Sequence, residues 1–143
     1  MKYISESYNQ TRHLGRQLAA GCRGGEVLCL YGDLGSGKTT FIQGLINFFL
    51  PGKRILSPTF IIVRHYYAIH PSIKNIYHVD LYRTSKIEEI IDTGISEFIQ
   101  KPDNIIVAVE WADKLAHLLP AGRIDVNFSI LSANKREIKI DRI

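Results

Sequence analysis

The sequence lacks the features that mark several classes of protein. Its 143 residues include only two cysteines, Cys22 and Cys29, which form neither a Cys-x-x-Cys pair nor a framework of disulfides. Apolar runs stay well short of the ~18 residues that a membrane-spanning helix needs, and no apolar segment of the secretory type follows Lys2. Repeats and low-complexity tracts are also absent. We therefore predict a cytoplasmic protein without a membrane segment, in which Cys29 is a buried, reduced thiol.

What the sequence does contain is typical of a globular domain. Hydrophobic residues make up 45% and charged residues 22% of the chain, which predicts one domain over residues 1–143. The charge is uneven, because residues 1–80 hold nine Lys and Arg against four acids, whereas residues 81–143 hold nine against ten. A basic first half favours a phosphate or nucleic-acid ligand. Scattered, solvated Lys and Arg side chains are the alternative explanation.

The hydrophobic pattern predicts an α/β protein with an antiparallel tail. Helical periodicity predicts helices over residues 9–20, 38–50 and 86–94, with Ser7 or Asn9 as the first N-cap, and shorter helical segments over 95–100 and 112–119. Apolar and β-branched runs predict strands over 26–31, 59–69, 75–82 and 104–111. Two segments that alternate at period two predict a C-terminal antiparallel hairpin with its turn at residues 132–134.

The stretch Gly32-x-x-x-x-Gly37-Lys38-Thr39 carries the signature of a phosphate-binding P-loop. A predicted strand precedes it and a predicted helix follows it, which is the context that the signature requires. Backbone amides in the loop would surround the β-phosphate, the Lys38 ammonium would contact the β- and γ-phosphates, and the Thr39 hydroxyl would bind Mg²⁺. A glycine-rich turn that merely reverses the chain is the alternative. The predicted nucleotide-binding residues here are Asp33, Leu34, Gly35, Ser36, Gly37, Lys38, Thr39 and Thr40.

A P-loop site also needs an acid for Mg²⁺ at the end of a neighbouring strand. Glu110 ends the most apolar predicted strand, and Asp80 ends a less apolar one but is the commoner residue type. Spacing does not choose between them, and either carboxylate could merely cap a strand end. Both could also lie beside the phosphates, since the carboxyl ends of strands line the ligand crevice of open α/β sheets.

Five further residues carry weaker signals. Thr59, in the segment "SPTF", could lie near the γ-phosphate as a switch-like residue or could belong to a strand-entry turn. Arg64 and Arg83 could stabilise transferred charge, although ordinary exposed arginines are the favoured interpretation. His78 is interpreted as a packed strand histidine, and Trp111 as a packing residue near the site.

Four motifs occur in order: "GDLGSGKTT" at 32–40, "SPTF" at 57–60, "YHVDLYR" at 77–83 and "VEW" at 109–111. Together they resemble the TsaE (YjeE/YdiB) family, the bacterial ATPases of tRNA threonylcarbamoyladenosine biosynthesis. The resemblance implies a P-loop protein that binds ATP or ADP with Mg²⁺ and hydrolyses ATP weakly alone. It also implies that TsaD and TsaB, which modify the adenosine next to the anticodon, are its partners, and that any tRNA contact is indirect or weak.

The resemblance also implies roles for individual residues. Thr39 and Glu110 match the magnesium positions, Asp80 matches an acid needed for hydrolysis, and Thr59 matches a switch-like threonine. Together with Lys38 of the P-loop, Asp80 and Thr59 are the predicted catalytic residues. Regions beside the nucleotide base are matched by Asn9 and Thr11 in the first helix and by Lys135 and Arg136 in the last hairpin. The implied fold class is a P-loop NTPase-like three-layer α/β fold, with a largely parallel central sheet and antiparallel additions at the C-terminal end.

Two other functions use the same loop. A nucleotide-gated scaffold would bind ATP without hydrolysing it, so that the γ-phosphate only orders a docking surface. A small nucleotide kinase would need an acceptor pocket and a lid, commonly with several arginines. The segment after Asp80 is short and acidic instead, which favours the ATPase interpretation.

Overall fold

The computed structural model describes residues 1–55, 62–84, 86–100 and 103–143 of the chain. The strands are β1 (Lys2–Ser5), β2 (Val27–Tyr31), β3 (Val63–Tyr67), β4 (Asn75–Asp80), β5 (Ile105–Glu110), β6 (Ile124–Ser132) and β7 (Lys135–Arg142). The α-helices are α1 (Tyr8–Ala20), α2 (Lys38–Phe49), α3 (Ile87–Asp92) and α4 (Ile95–Gln100), and a 3₁₀ helix spans Ala112–Leu118. Among these residues, no helix is long and apolar enough to cross a membrane.

The strands form one seven-stranded sheet in the order β1-β7-β6-β2-β5-β4-β3. Its centre is parallel, because β2 pairs in parallel with β5 and β6, and β4 pairs in parallel with β5. Strands β3, β7 and β1 add antiparallel pairs at the two edges. The predicted largely parallel sheet and its C-terminal hairpin are confirmed.

Helices cover both faces of the sheet, so the predicted three-layer architecture is confirmed. Along β2, Leu28 and Leu30 join the core beneath α1 and α2, whereas Val27 and Cys29 join the core on the α3 and α4 side. This is why β2 is apolar along its whole length, as strands buried on two faces are. Burial raises the pKa of the Cys29 thiol to about 12, so the predicted buried thiol is also protonated.

Several boundaries differ from the predictions. Helix α1 begins at Tyr8, and its N-cap is Ser7, whose side chain accepts a hydrogen bond from the Gln10 amide at 3.1 Å. The segment predicted as helical after β5 is a 3₁₀ helix. Of the predicted 59–69 strand, residues 62–69 are described, and β3 takes up Val63–Tyr67 of these. Strand β1 was not predicted, because its four residues carry no periodic pattern and are held as a strand by pairing with β7.

Helices α1 and α2 approach each other closely at two glycines. A Cβ atom at Gly44 would lie 2.0 Å from the carbonyl oxygen of Arg12, and one at Gly15 would lie 2.0 Å from that of Phe41. The two backbones therefore touch at these points, which fixes α2 against α1. Because α2 starts directly after the glycine loop, this contact also fixes the position of the loop.

Candidate functional site

The glycine loop spans residues 32–37 and connects β2 to α2. Gly32 has φ 149° and Gly37 has φ 105°, both in the region that favours glycine. A Cβ atom at Gly32 would also lie 2.7 Å from Ser36 Oγ and 2.9 Å from Phe128 Cβ. Backbone conformation and close contact therefore both require glycine here, and the loop's amides precede the N-terminus of a helix, where anions bind favourably.

Lys38 is the first residue of α2, and its side chain turns back beneath the loop. Only 4% of the surface of Lys38 is exposed. Its Nζ donates hydrogen bonds to the carbonyl oxygens of Gly32 at 2.5 Å and Asp33 at 3.0 Å, and lies 4.3 Å from the centre of the Trp111 ring. Burial lowers the pKa of Lys38, and the nearby Glu110 carboxylate opposes this shift. The ammonium is thus held at the loop by fixed backbone partners.

Thr39, Glu110 and His78 form a connected chain of hydrogen bonds behind the loop. Thr39 Oγ1 donates to Glu110 Oε1 at 2.8 Å and to Oε2 at 3.0 Å. His78 Nε2 lies 2.7 Å from Glu110 Oε2, and both side chains are buried. His78 was predicted as a packed strand histidine, and its burial confirms this, but the hydrogen bond to Glu110 was not foreseen.

Asp80 lies beside Glu110 at the carboxyl edge of the sheet, because the two residues are direct partners in the β4–β5 register. The backbone amide of Tyr82 donates to Asp80 Oδ1 at 3.0 Å. Burial raises the pKa of Asp80, this hydrogen bond opposes the shift, and the nearby Glu110 carboxylate adds to it. Spacing in the sequence could not decide which of the two acids lies beside Thr39. In the structure Glu110 contacts Thr39, and Asp80 faces the same cleft.

Asp80→Asn is expected to raise stability at neutral pH by a few degrees in Tm. In the folded chain, burial raises the Asp80 pKa above its ordinary value of 3.8, so its ionised form opposes folding at higher pH. Asparagine keeps the acceptor for the Tyr82 amide without the charge. The gain is present at about pH 7.5 and disappears near pH 3, where Asp80 is protonated in both states. Thermal unfolding at both pH values checks this, and a variant less stable than wild type near pH 7.5 contradicts it.

Lys114 of the 3₁₀ helix holds the turn that follows Asp80. Its Nζ donates to the carbonyl oxygens of Leu81 at 2.6 Å, Tyr82 at 2.7 Å and Thr84 at 2.9 Å. Sequence reasoning missed this residue. The available signal was weak: a lysine between Asp113 and the buried Leu115, three positions after Trp111, in a segment that packs on the sheet.

These elements enclose a cleft of about 470 Å³, within the size range of small-molecule sites. Its lining residues are Tyr8, Leu34, Gly35, Ser36, Gly37, Lys38, Thr39, Thr40, Asp80, Tyr82, Arg83, Glu110 and Trp111. We call it the phosphate cleft. The structure thus brings together most of the predicted loop residues and both acids. Asp33 does not line it and instead offers its carbonyl oxygen to Lys38.

A smaller cleft adjoins the phosphate cleft and shares Tyr8, Gly35, Gly37 and Thr40 with it. Thr11 and Arg136 line this side cleft, and Arg136 Nη2 donates to the Gly35 carbonyl oxygen at 3.2 Å. Asn9 and Lys135, predicted beside the base with them, are exposed and line neither cleft.

The remaining weaker candidates are Arg64 and Thr59. Arg64 lies on β3 and lines neither of them. The segment that contains Thr59 lies outside the described residues.

A glycine loop between a buried parallel strand and a helix, in a sheet covered on both faces, defines a P-loop NTPase-like α/β protein. Residues 5–138 match the family described as "Threonylcarbamoyl adenosine biosynthesis protein TsaE", and the chain belongs to this family. It is 35% identical over 134 residues to the tRNA threonylcarbamoyladenosine biosynthesis protein TsaE of Rickettsia bellii, covering 93% of this chain and 89% of the relative. The TsaE of Bacillus subtilis is 31% identical over 138 residues, covering 96% of this chain and 83% of that protein.

A solved structure supports the same relationship. The crystal structure of Bacillus subtilis YdiB superposes with a TM-score of 0.79 at 27% sequence identity. The match covers 100% of this chain and 85% of that one. The resemblance inferred from four short motifs is therefore confirmed over nearly the whole chain.

Proposed function

We propose that residues 1–143 form a cytoplasmic ATPase domain that serves tRNA threonylcarbamoyladenosine biosynthesis, with TsaD and TsaB as partners. The observation that carries the proposal is the convergence of Lys38, Thr39, Glu110 and Asp80 on one cleft beneath a glycine loop. The relatives' names supply the pathway, since they describe tRNA threonylcarbamoyladenosine biosynthesis proteins. Contact with tRNA is proposed to be indirect or weak.

The residues at the cleft fit a magnesium nucleotide. Mg²⁺ prefers oxygen ligands and is commonly held by one or two carboxylates together with substrate phosphates. The Thr39 hydroxyl and the Glu110 carboxylate, in mutual contact, would hold it. The described residues contain no group of three or more His, Cys, Asp or Glu side chains that could bind a metal by themselves, which suits a cation that arrives with the nucleotide. When bound, it would neutralise negative charge on the phosphates.

The chain's own residues would bind the phosphates and orient the attacking water. The loop amides and the Lys38 ammonium would bind the β- and γ-phosphates and stabilise the charge that develops during transfer. The Asp80 carboxylate faces the same cleft and would accept a hydrogen bond from the attacking water, orienting it towards the γ-phosphate. Tyr82 would fix Asp80 through the hydrogen bond that its backbone amide donates to the carboxylate, and Lys114 would fix it by holding the turn that follows.

ATP turnover by the purified chain tests this function. We expect slow phosphate release that requires Mg²⁺, stops in EDTA, and rises when TsaD, TsaB and tRNA are added. Tight ATP binding without turnover in any of these mixtures would contradict the ATPase proposal and favour the nucleotide-gated scaffold. Transfer of the γ-phosphate to a nucleoside or nucleotide in an acceptor screen would instead indicate a kinase.

A further inference from the structure

The imidazole of His78 is fully buried in the sheet, with 0% of the residue exposed. It lies on β4 opposite Ala108, two residues before the pair formed by Asp80 and Glu110. From there its Nε2 reaches Glu110 Oε2 at 2.7 Å. The other ring nitrogen, Nδ1, is buried as well and has no hydrogen-bond partner among the described residues. The hydrogen bonding of this ring is therefore directed at Glu110.

A buried histidine with one unpartnered ring nitrogen does little to stabilise a core. A buried nitrogen without a partner lowers stability, and an apolar side chain of similar volume would avoid that penalty. A histidine at this position is therefore better explained by what it does to Glu110 than by packing. Because an ionised carboxylate only accepts hydrogen bonds, Nε2 carries the proton in this contact.

The Glu110 carboxylate needs such a partner. Rotation about the last bond of a glutamate side chain is broad, so the orientation of the two oxygens depends on their hydrogen bonds. Thr39 Oγ1 bonds both oxygens at similar distances and does not distinguish them. The His78 hydrogen bond to Oε2 alone breaks this equivalence, and it comes from a side chain on β4, which is paired with strands on both sides.

We propose that His78 is a positioning residue that orients the Glu110 carboxylate for a divalent cation bound with the nucleotide. The inference rests on the proposed function, because it takes Thr39 and Glu110 as the cation's ligands. Hydrogen-bond partners of metal ligands act in this way generally, and their loss typically weakens metal affinity by about 10-fold to 100-fold.

Calorimetric titration with ADP, in Mg²⁺ and separately in EDTA, tests the proposal. The readout is the gain in ADP affinity that Mg²⁺ provides. His78→Leu is expected to leave the affinity in EDTA within about 2-fold and to reduce the gain about 10-fold. His78→Gln places an amide N–H near the position of Nε2 and should keep most of the gain. Glu110→Gln is the reference for a lost ligand, and replacing the exposed His13 by Leu is the matched control.

The outcomes are distinct. A folded His78→Leu variant with the wild-type gain overturns the positioning role, and so does an equal loss in His78→Leu and His78→Gln, because the donor would then not matter. If His78→Leu does not fold, His78→Asn replaces it, since its amide is one methylene too short to reach Glu110. A wild-type protein that gains no affinity from Mg²⁺ overturns the proposed cation site itself, and this inference with it.

Discussion

Lys38→Met is expected to lower Mg²⁺-dependent ATP turnover by about 10²–10³-fold, the usual effect of removing one preorganised charge or donor from a transition state. The Lys38 ammonium is almost fully buried beneath the glycine loop, held by the carbonyl oxygens of Gly32 and Asp33. Methionine keeps most of the apolar length of the side chain but carries no charge for the phosphates. Steady-state phosphate release with the partner proteins present measures the effect.

The control for this variant is Lys53→Met, which removes an exposed lysine just after α2. Its turnover should match that of wild type. Thermal unfolding shows whether Lys38→Met remains folded, and we expect its Tm within a few degrees of wild type because a buried charge is removed along with its hydrogen bonds. A folded Lys38→Met variant that retains turnover within about 3-fold would remove Lys38 from the proposed mechanism.

Gly44→Ala is expected to destabilise the protein by about 3 kcal/mol, the upper end of the usual cost of overpacking. The new methyl group would lie 2.0 Å from the Arg12 carbonyl oxygen, and this obstacle is backbone, so α1 and α2 would have to separate. Helix propensity alone predicts the opposite sign, because alanine favours a helix over glycine by about 1 kcal/mol. Urea-induced unfolding monitored by circular dichroism decides between the two.

Gly21→Ala is the matched control. Gly21 has φ −91°, which alanine adopts freely, and its Cβ would lie 3.6 Å from the Leu18 carbonyl oxygen, an ordinary contact. We expect equal or slightly higher stability for this variant. If Gly44→Ala were as stable as Gly21→Ala, the close approach of the two helices would not hold in solution.

Much of the candidate site could be predicted from local sequence. The glycine loop, the strand before it and the helix after it are contiguous, and each carries its own pattern: an apolar run, glycines at positions of positive φ, and helical periodicity from Lys38. Glu110 and Asp80 were predictable as acids at strand ends for the same reason. The loop and the two acids could be predicted because few other folds accommodate an apolar strand, a glycine loop and a helix in that order.

Contacts between distant segments could not be predicted in this way. Which acid meets Thr39 depends on the register of β4 against β5 and of β5 against β2, and no local pattern encodes that alignment. No local pattern predicts the hydrogen bond between His78 and Glu110 or the hydrogen bonds of Lys114 to the turn after Asp80. Both contacts join residues about thirty positions apart.

An edge of the sheet shows most clearly the difference between what local sequence determines and what tertiary structure decides. Strand β1 has no signal of its own and exists because β7 offers an open edge. Its pairing brings Ser5 within 2.7 Å of Thr11, beside the side cleft. Sequence alone therefore determined the class of the protein and the loop at its centre, since these depend on short-range order. Tertiary structure decided which side chains meet there, because strand order and helix packing are set by the burial of the whole core.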